Sequence, residues 1–188
     1  MPRIDPVPAH RAGPLTKFLY RYLRRRFGAV PEPMAVTAQH PKLLLAAGVG
    51  ELAVERAVRV LPASVRELAV FRTATRIGCS WCVDFGTMLQ RDEGLDVERL
   101  KEIDDYRTSP RFTELDRLVI DYTDAMTDLP MTVTDEQVAE LDRRLGHQGA
   151  VELTYMIALE NQRTRFNHAL GITAQGFTSG EACRVPMP

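Results

Sequence analysis

Cysteine is scarce in this chain: three in 188 residues, beside one tryptophan and four histidines. So few thiols exclude the disulfide framework that staples small secreted domains. Long hydrophobic runs are missing too, and no apolar stretch approaches the roughly 18 residues that a bilayer-spanning helix needs. The first 13 residues hold prolines and polar side chains where an export signal has its apolar centre, so a cytoplasmic protein that neither enters a membrane nor is secreted is expected. Charge of one sign is lacking as well: the formal net charge is −1, and nothing in that balance calls for a nucleic-acid partner. Strict alternation of apolar and polar residues, the mark of half-buried strands, is also absent. What remains is a chain with 45% hydrophobic residues, enough for one core.

Its apolar spacing is helical almost throughout, which predicts an all-α fold. A first helix is expected over 15–27, with Leu15, Phe18, Leu19, Tyr22 and Leu23 on one face, ended by Gly28 and the prolines at 31 and 33. A second should run from Pro41 to about Val60, weakened by Gly48 and Gly50. Ser64 to Glu67 fits a capping box that opens a third helix, which Gly78 then stops. A new helix starts near Cys79 and continues to Gly94. Asp96 caps a short helix, Thr113 a longer one over 114–128, and Thr134 to Gln137 form a second capping box before a helix ending at Gly146. A last long helix spans about 148–170. The division expected is an N-terminal extension over 1–40 with one amphipathic helix, a helical domain over 41–175, and an irregular tail over 176–188.

In so thiol-poor a sequence, Cys79-Ser80-Trp81-Cys82 stands out. Residues three apart on a helix share a face, and a helix N-terminus stabilises a thiolate through its unpaired N–H groups. Redox chemistry is the first reading, with Cys79, nearer the helix start, expected to be the more exposed. Zinc needs two further ligands, and His10, His40, His147, His168 and Cys183 are all isolated, so neither a metal nor another cofactor is indicated. Two buried, inert thiols are the plain structural alternative. Trp81 shapes a pocket or simply fills the core. Arg163 and Arg165 bind a carboxylate or form ordinary ion pairs. The run Arg24-Arg25-Arg26 reads as a solvated face over a core or a subunit contact rather than a membrane or nucleic-acid patch.

Arg66-Glu67-Leu68-Ala69-Val70 followed by Gly78-Cys79-Ser80-Trp81-Cys82-Val83-Asp84 resembles the carboxymuconolactone decarboxylase-like and alkylhydroperoxidase D-like family. Glu67 precedes the first cysteine by twelve positions, as in that family's peroxidase members. The likeness extends through Val151-Glu152-Leu153-Thr154 and the stretch from Asn161 to Asn167. The resemblance implies a single-domain, all-helical fold that assembles as trimers or hexamers, with a peroxide as substrate and an external dithiol or lipoyl-type reductant. It implies Cys82 as the peroxidatic thiolate, Cys79 as the resolving thiol and Glu67 as base or proton relay. One departure is plain: the histidine that peroxidase members place four residues after the second cysteine is Gly86 in this chain. Asp84, His168 and Tyr155 are the other candidates for moving protons. Glu67 is equally well explained by the capping box. Two further functions stay open: a cofactor-free decarboxylase acting on a carboxylated lactone, and a non-enzymatic redox-sensing or assembly module.

Overall fold

The computed structural model of the chain describes residues 2–178. Its elements are α1 (Pro14–Phe27), α2 (Glu32–Thr37), α3 (Pro41–Ala57), α4 (Ala63–Ile77), α5 (Ser80–Asp92), a 3-10 helix (Glu98–Asp105), α6 (Glu114–Thr127) and α7 (Asp135–Ala169). No strand occurs among the described residues, as the helical spacing requires. Cys183 and most of the expected tail lie outside them.

The centre is α4, which packs against α5, α6 and α7. Its apolar positions serve two clusters. Leu68, Phe71 and Ala74 join Cys79, Trp81, Cys82 and Val83 of the α5 start with Leu100 and Ile103 of the 3-10 helix. Val65 and Ala69 join Val119 and Tyr122 of α6 with Leu141, Leu153 and Ile157 of α7. The buried guanidinium of Arg72 ties these layers together, donating to both carboxylate oxygens of Asp124 at 2.6 and 2.7 Å and to Asp104 at 3.1 Å. Truncating either side of such a pair would strand a desolvated charge, which is why it occurs as a matched set.

Local chemistry sets most of the boundaries. Thr113 with Asp116, and Thr134 with Gln137, form the two reciprocal capping boxes that open α6 and α7. Gly78 takes a left-handed conformation (φ 87°) and closes α4 by donating its N–H to Ala74, so the chain turns at once into α5. Gly146, at φ 70° and ψ 165°, kinks α7 between the two helices expected from the sequence.

Two expectations need correction. Ser64 does not cap α4: that helix begins at Ala63 behind Pro62, with no side-chain cap, and the Ser64 carbonyl accepts from Arg99. Proline fixes the entry φ, and Ser64 lies already inside the first turn. Gly48 and Gly50 leave α3 continuous, and Pro31 and Pro33, beyond the end of α1, stand at the start of the short α2. On α1 the buried side chains are Thr16, Tyr20 and Leu23, whereas Leu15, Phe18 and Tyr22 face solvent. Much of its apolar face is therefore left uncovered by this chain. The same is true of α3, where Leu44 is buried while Leu43, Leu45 and Val49 are exposed.

Candidate active site

Cys79 and Cys82 are joined as a disulfide at the N-terminus of α5, their Cα atoms 5.3 Å apart. Cys79 is the N-cap of that helix, and its sulfur accepts the Cys82 backbone N–H at 3.2 Å. Neither thiol is open: Cys79 is 2% exposed and Cys82 8%. The greater exposure expected for Cys79 is thus reversed: the tight turn at Gly78 keeps the N-cap against α4, its backbone N–H donating to the Ala74 carbonyl at 3.0 Å, and its side chain lies in the buried cluster that also holds Leu68 and Ala74.

From α7, the buried Asn167 directs its side-chain amide at the pair, 3.3 Å from the Cys82 sulfur and 3.8 Å from that of Cys79. Asn167 closes a polar stripe on an otherwise apolar face, with Thr164 and Glu160 buried one and two turns earlier. Glu160 is paired with Arg163 at 3.2 Å, and Arg163 also bridges to Glu51 of α3. Burial pushes the Glu160 carboxyl up to about 7; Arg163 opposes the rise, and Glu51 and Glu67 add to it. Glu67, on α4, is paired with Arg66 at 2.9 Å, and burial raises its carboxyl above the ordinary value against the pull of that guanidinium. Two acids whose carboxyls are both raised by burial therefore interact electrostatically between α4 and α7.

Asp84 is 2% exposed, and both its oxygens are occupied. They accept the backbone N–H groups of Gln175, Gly176, Phe177 and Thr178 at 2.8 to 3.0 Å, and the Thr178 hydroxyl at 2.7 Å. Burial pushes this carboxyl up, but the hydrogen bonds more than offset it and leave it below the usual value. The segment pinned in this way lies along the start of α5: Ala174 N–H reaches the Ser80 hydroxyl, and Trp81 Nε1 donates to Gln175 at 3.2 Å. Trp81 itself stacks on Phe85, with ring centroids 4.6 Å apart, and Phe177 of the strap meets both rings edge-on.

No family model matches the chain. The uncharacterised protein YnjA of Escherichia coli is 34% identical over 165 residues, 87% of each chain. An alkyl hydroperoxide reductase of Mycobacterium tuberculosis is 35% identical over 86 residues, 46% of this chain and 25% of that protein. Among solved structures, a peroxidase-related protein with an alkylhydroperoxidase AhpD core, from Ralstonia eutropha JMP134, superposes with a TM-score of 0.77 at 16% identity over 94% of both chains. The chain belongs to one family with YnjA and has the alkylhydroperoxidase D-like fold. The debrominase Bmp8 shares the fold as well, with a TM-score of 0.79 at 18% identity over 93% of this chain and 92% of its own.

The position where the sequence resemblance called for a histidine is Gly86, one turn along α5 from Cys82. A Cβ built there meets no atom within 4 Å, so the place of the missing histidine is open space. The side chains of His168 and Tyr155 do not fill it: both residues are exposed, and neither hydrogen-bonds to a sulfur. Glu67 likewise bonds to Arg66 rather than to a thiol. The last helix does reach the pair, one residue before His168, through Asn167. Its signal in the sequence was the spacing Glu160, Thr164, Asn167, polar residues at i, i+4 and i+7 on a face that must be buried.

Proposed function

We propose that the protein is a thiol-dependent oxidoreductase of the alkylhydroperoxidase type. The observation that carries this reading is the Cys79–Cys82 pair within bonding reach at a helix N-terminus, with a separate hydrogen-bond donor directed at each sulfur. In this reading the Cys82 thiolate attacks the terminal oxygen of a hydroperoxide. The S–O bond forms, the O–O bond breaks, and the electron pair leaves on an alkoxide that takes a proton from the Glu67 and Glu160 carboxyl cluster. The Cys79 thiol then gives up its proton as its sulfur attacks the sulfenic sulfur, the S–O bond breaks, and the hydroxide leaves with that proton as water while the disulfide closes. An external dithiol of the lipoyl type returns two electrons in two exchange steps. A reducing cytoplasm is where such a pair would cycle.

The test is thiol counting. Reduced protein given cumene hydroperoxide should lose two thiols per chain, and dihydrolipoamide should restore them. Gly86→His should speed that loss about tenfold, since general acid–base groups contribute roughly 100-fold or more when well placed and a Cβ at position 86 meets no atom within 4 Å. Oxidation of the pair once, without turnover under excess reductant, would support the redox-sensing module instead. No peroxide-dependent thiol loss in either protein would end the peroxidase reading.

The same reading includes a homo-oligomer, trimeric or hexameric. Leu15, Phe18 and Tyr22 on α1, Leu43, Leu45 and Val49 on α3, and Val151 and Tyr155 on α7 are all exposed, and subunit contacts would remove such apolar side chains from water. Light scattering should give the mass of several chains, and Phe18→Glu with Val49→Glu should lower it. A monomeric mass for the parent protein would refute this assembly.

A further inference from the structure

We propose that Asn167 is a catalytic residue of this site: its side-chain amide is the hydrogen-bond donor that stabilises the Cys82 sulfur as an anion. The inference rests on the thiol reading above and goes beyond it, since the superfamily resemblance assigns Asn167 no role. Among the described residues, Asn167 is the only side chain that donates to either sulfur. The Cys79 sulfur has its own donor in the Cys82 backbone N–H, whereas the nearer contact of Asn167, at 3.3 Å, is with Cys82. The two sulfurs are thereby distinguished, one served by the helix terminus and the other by α7.

The backbone that carries the amide is held at the end of α7. The Asn167 backbone carbonyl accepts the Ile172 N–H at 2.9 Å, and Arg3 clamps the end of α7 by donating to the Ala169 carbonyl at 2.6 Å and through its own N–H to Leu170 at 2.7 Å. A buried donor on an anchored helix end costs little reorganisation when charge appears on sulfur, and its bond strengthens as the acceptor becomes ionised. Among the described residues no ion pair or charged side chain meets either sulfur, so no neighbouring cation is seen to favour the thiolate. Glu67 on α4, Asp84 on α5 and Glu160 on α7 are acids, while Arg66 and Arg163 are committed to carboxylates. With histidine absent at position 86, an uncharged donor from the last helix takes over the task of favouring the anion.

The experiment is a thiol titration in the Cys79→Ser background, following the rate of Cys82 alkylation by iodoacetamide against pH. Asn167→Ala should raise the midpoint by about one pH unit and slow alkylation at pH 7 about tenfold, the loss expected for one charge-assisted hydrogen bond. Asn167→Asp keeps the shape, places an anion at the sulfur and should raise the midpoint further, so it decides the matter if the alanine variant does not fold. Asn167→His, which retains a ring N–H, should recover part of the shift. An unchanged or lower midpoint in Asn167→Asp overturns the proposal. Because alkylation needs no peroxide, a shifted midpoint with no peroxide turnover would refute the proposed function and leave Asn167 its role, and the converse result would do the opposite.

Discussion

Cys82→Ser is expected to cut peroxide consumption at least about 1,000-fold, whereas Cys79→Ser should still consume one equivalent of peroxide per chain and then stop. The magnitude follows from the nucleophile: a serine hydroxyl in the same place is neither ionised near neutrality nor comparably nucleophilic, and removing a nucleophile costs about 1,000-fold or more where it has been measured. The asymmetry follows from the division of labour. Without Cys79 the sulfenic acid on Cys82 has no partner to condense with, so the chain should gain one oxygen in mass and wait for an external thiol. Intact mass and single-turnover kinetics on both variants read this directly. The reverse pattern, with the burst retained in Cys82→Ser and lost in Cys79→Ser, would make Cys79 the nucleophile. The helix N–H on its sulfur is the feature that would favour that outcome, and the Asn167 amide on Cys82 is the one that opposes it. The assignment therefore turns on which donor stabilises its thiolate more, which measured rates decide.

How far the sequence carried the fold depended on how local the determinants were. The cap at Thr113, the capping box at Thr134 and the stop at Gly78 are written in a few consecutive residues, and they stand where expected. The box at Ser64 carried the same letters and failed, because Pro62 had already started the helix one position earlier. Facing was harder. Periodicity marks an apolar stripe on α1 but cannot say whether this chain or another covers it, and only Leu23 and part of Leu19 of the expected face are buried in the chain. The site divided in the same way. The thiol pair and its helical setting were legible because their spacing is local, whereas the group meeting the thiols from α7 depended on a helix rotation of about 100° between neighbours. That rotation separates His168, in solvent, from Asn167, on the sulfurs. Asp84 stood close to the cysteines in sequence, yet the partners that occupy it lie more than ninety residues away.

Asp84→Ala should destabilise the protein by about 2–4 kcal/mol and speed reduction of the Cys79–Cys82 disulfide. One buried carboxylate accepts four backbone N–H groups and a hydroxyl. Leaving such donors buried without a partner costs about 1–3 kcal/mol for each, but the strap over 174–178 can instead peel away and hydrate, so its docking energy caps the total. Peeling would uncover Ser80 and Trp81, the two residues between the cysteines, and with them the approach to the sulfurs. Hydrogen exchange should show amides 175–178 losing protection first, and tris(2-carboxyethyl)phosphine should reduce the variant several-fold faster than the parent. The pH dependence has a definite sign. The folded carboxyl lies below its ordinary value near 3.8, so its contribution is complete above that pH and disappears as pH falls through the lower, folded value. The parent should therefore lose stability on acidification below about pH 4, and Asp84→Asn should lack that component. Equal reduction rates in Asp84→Ala and the parent would mean that the strap holds the fold without guarding the thiols.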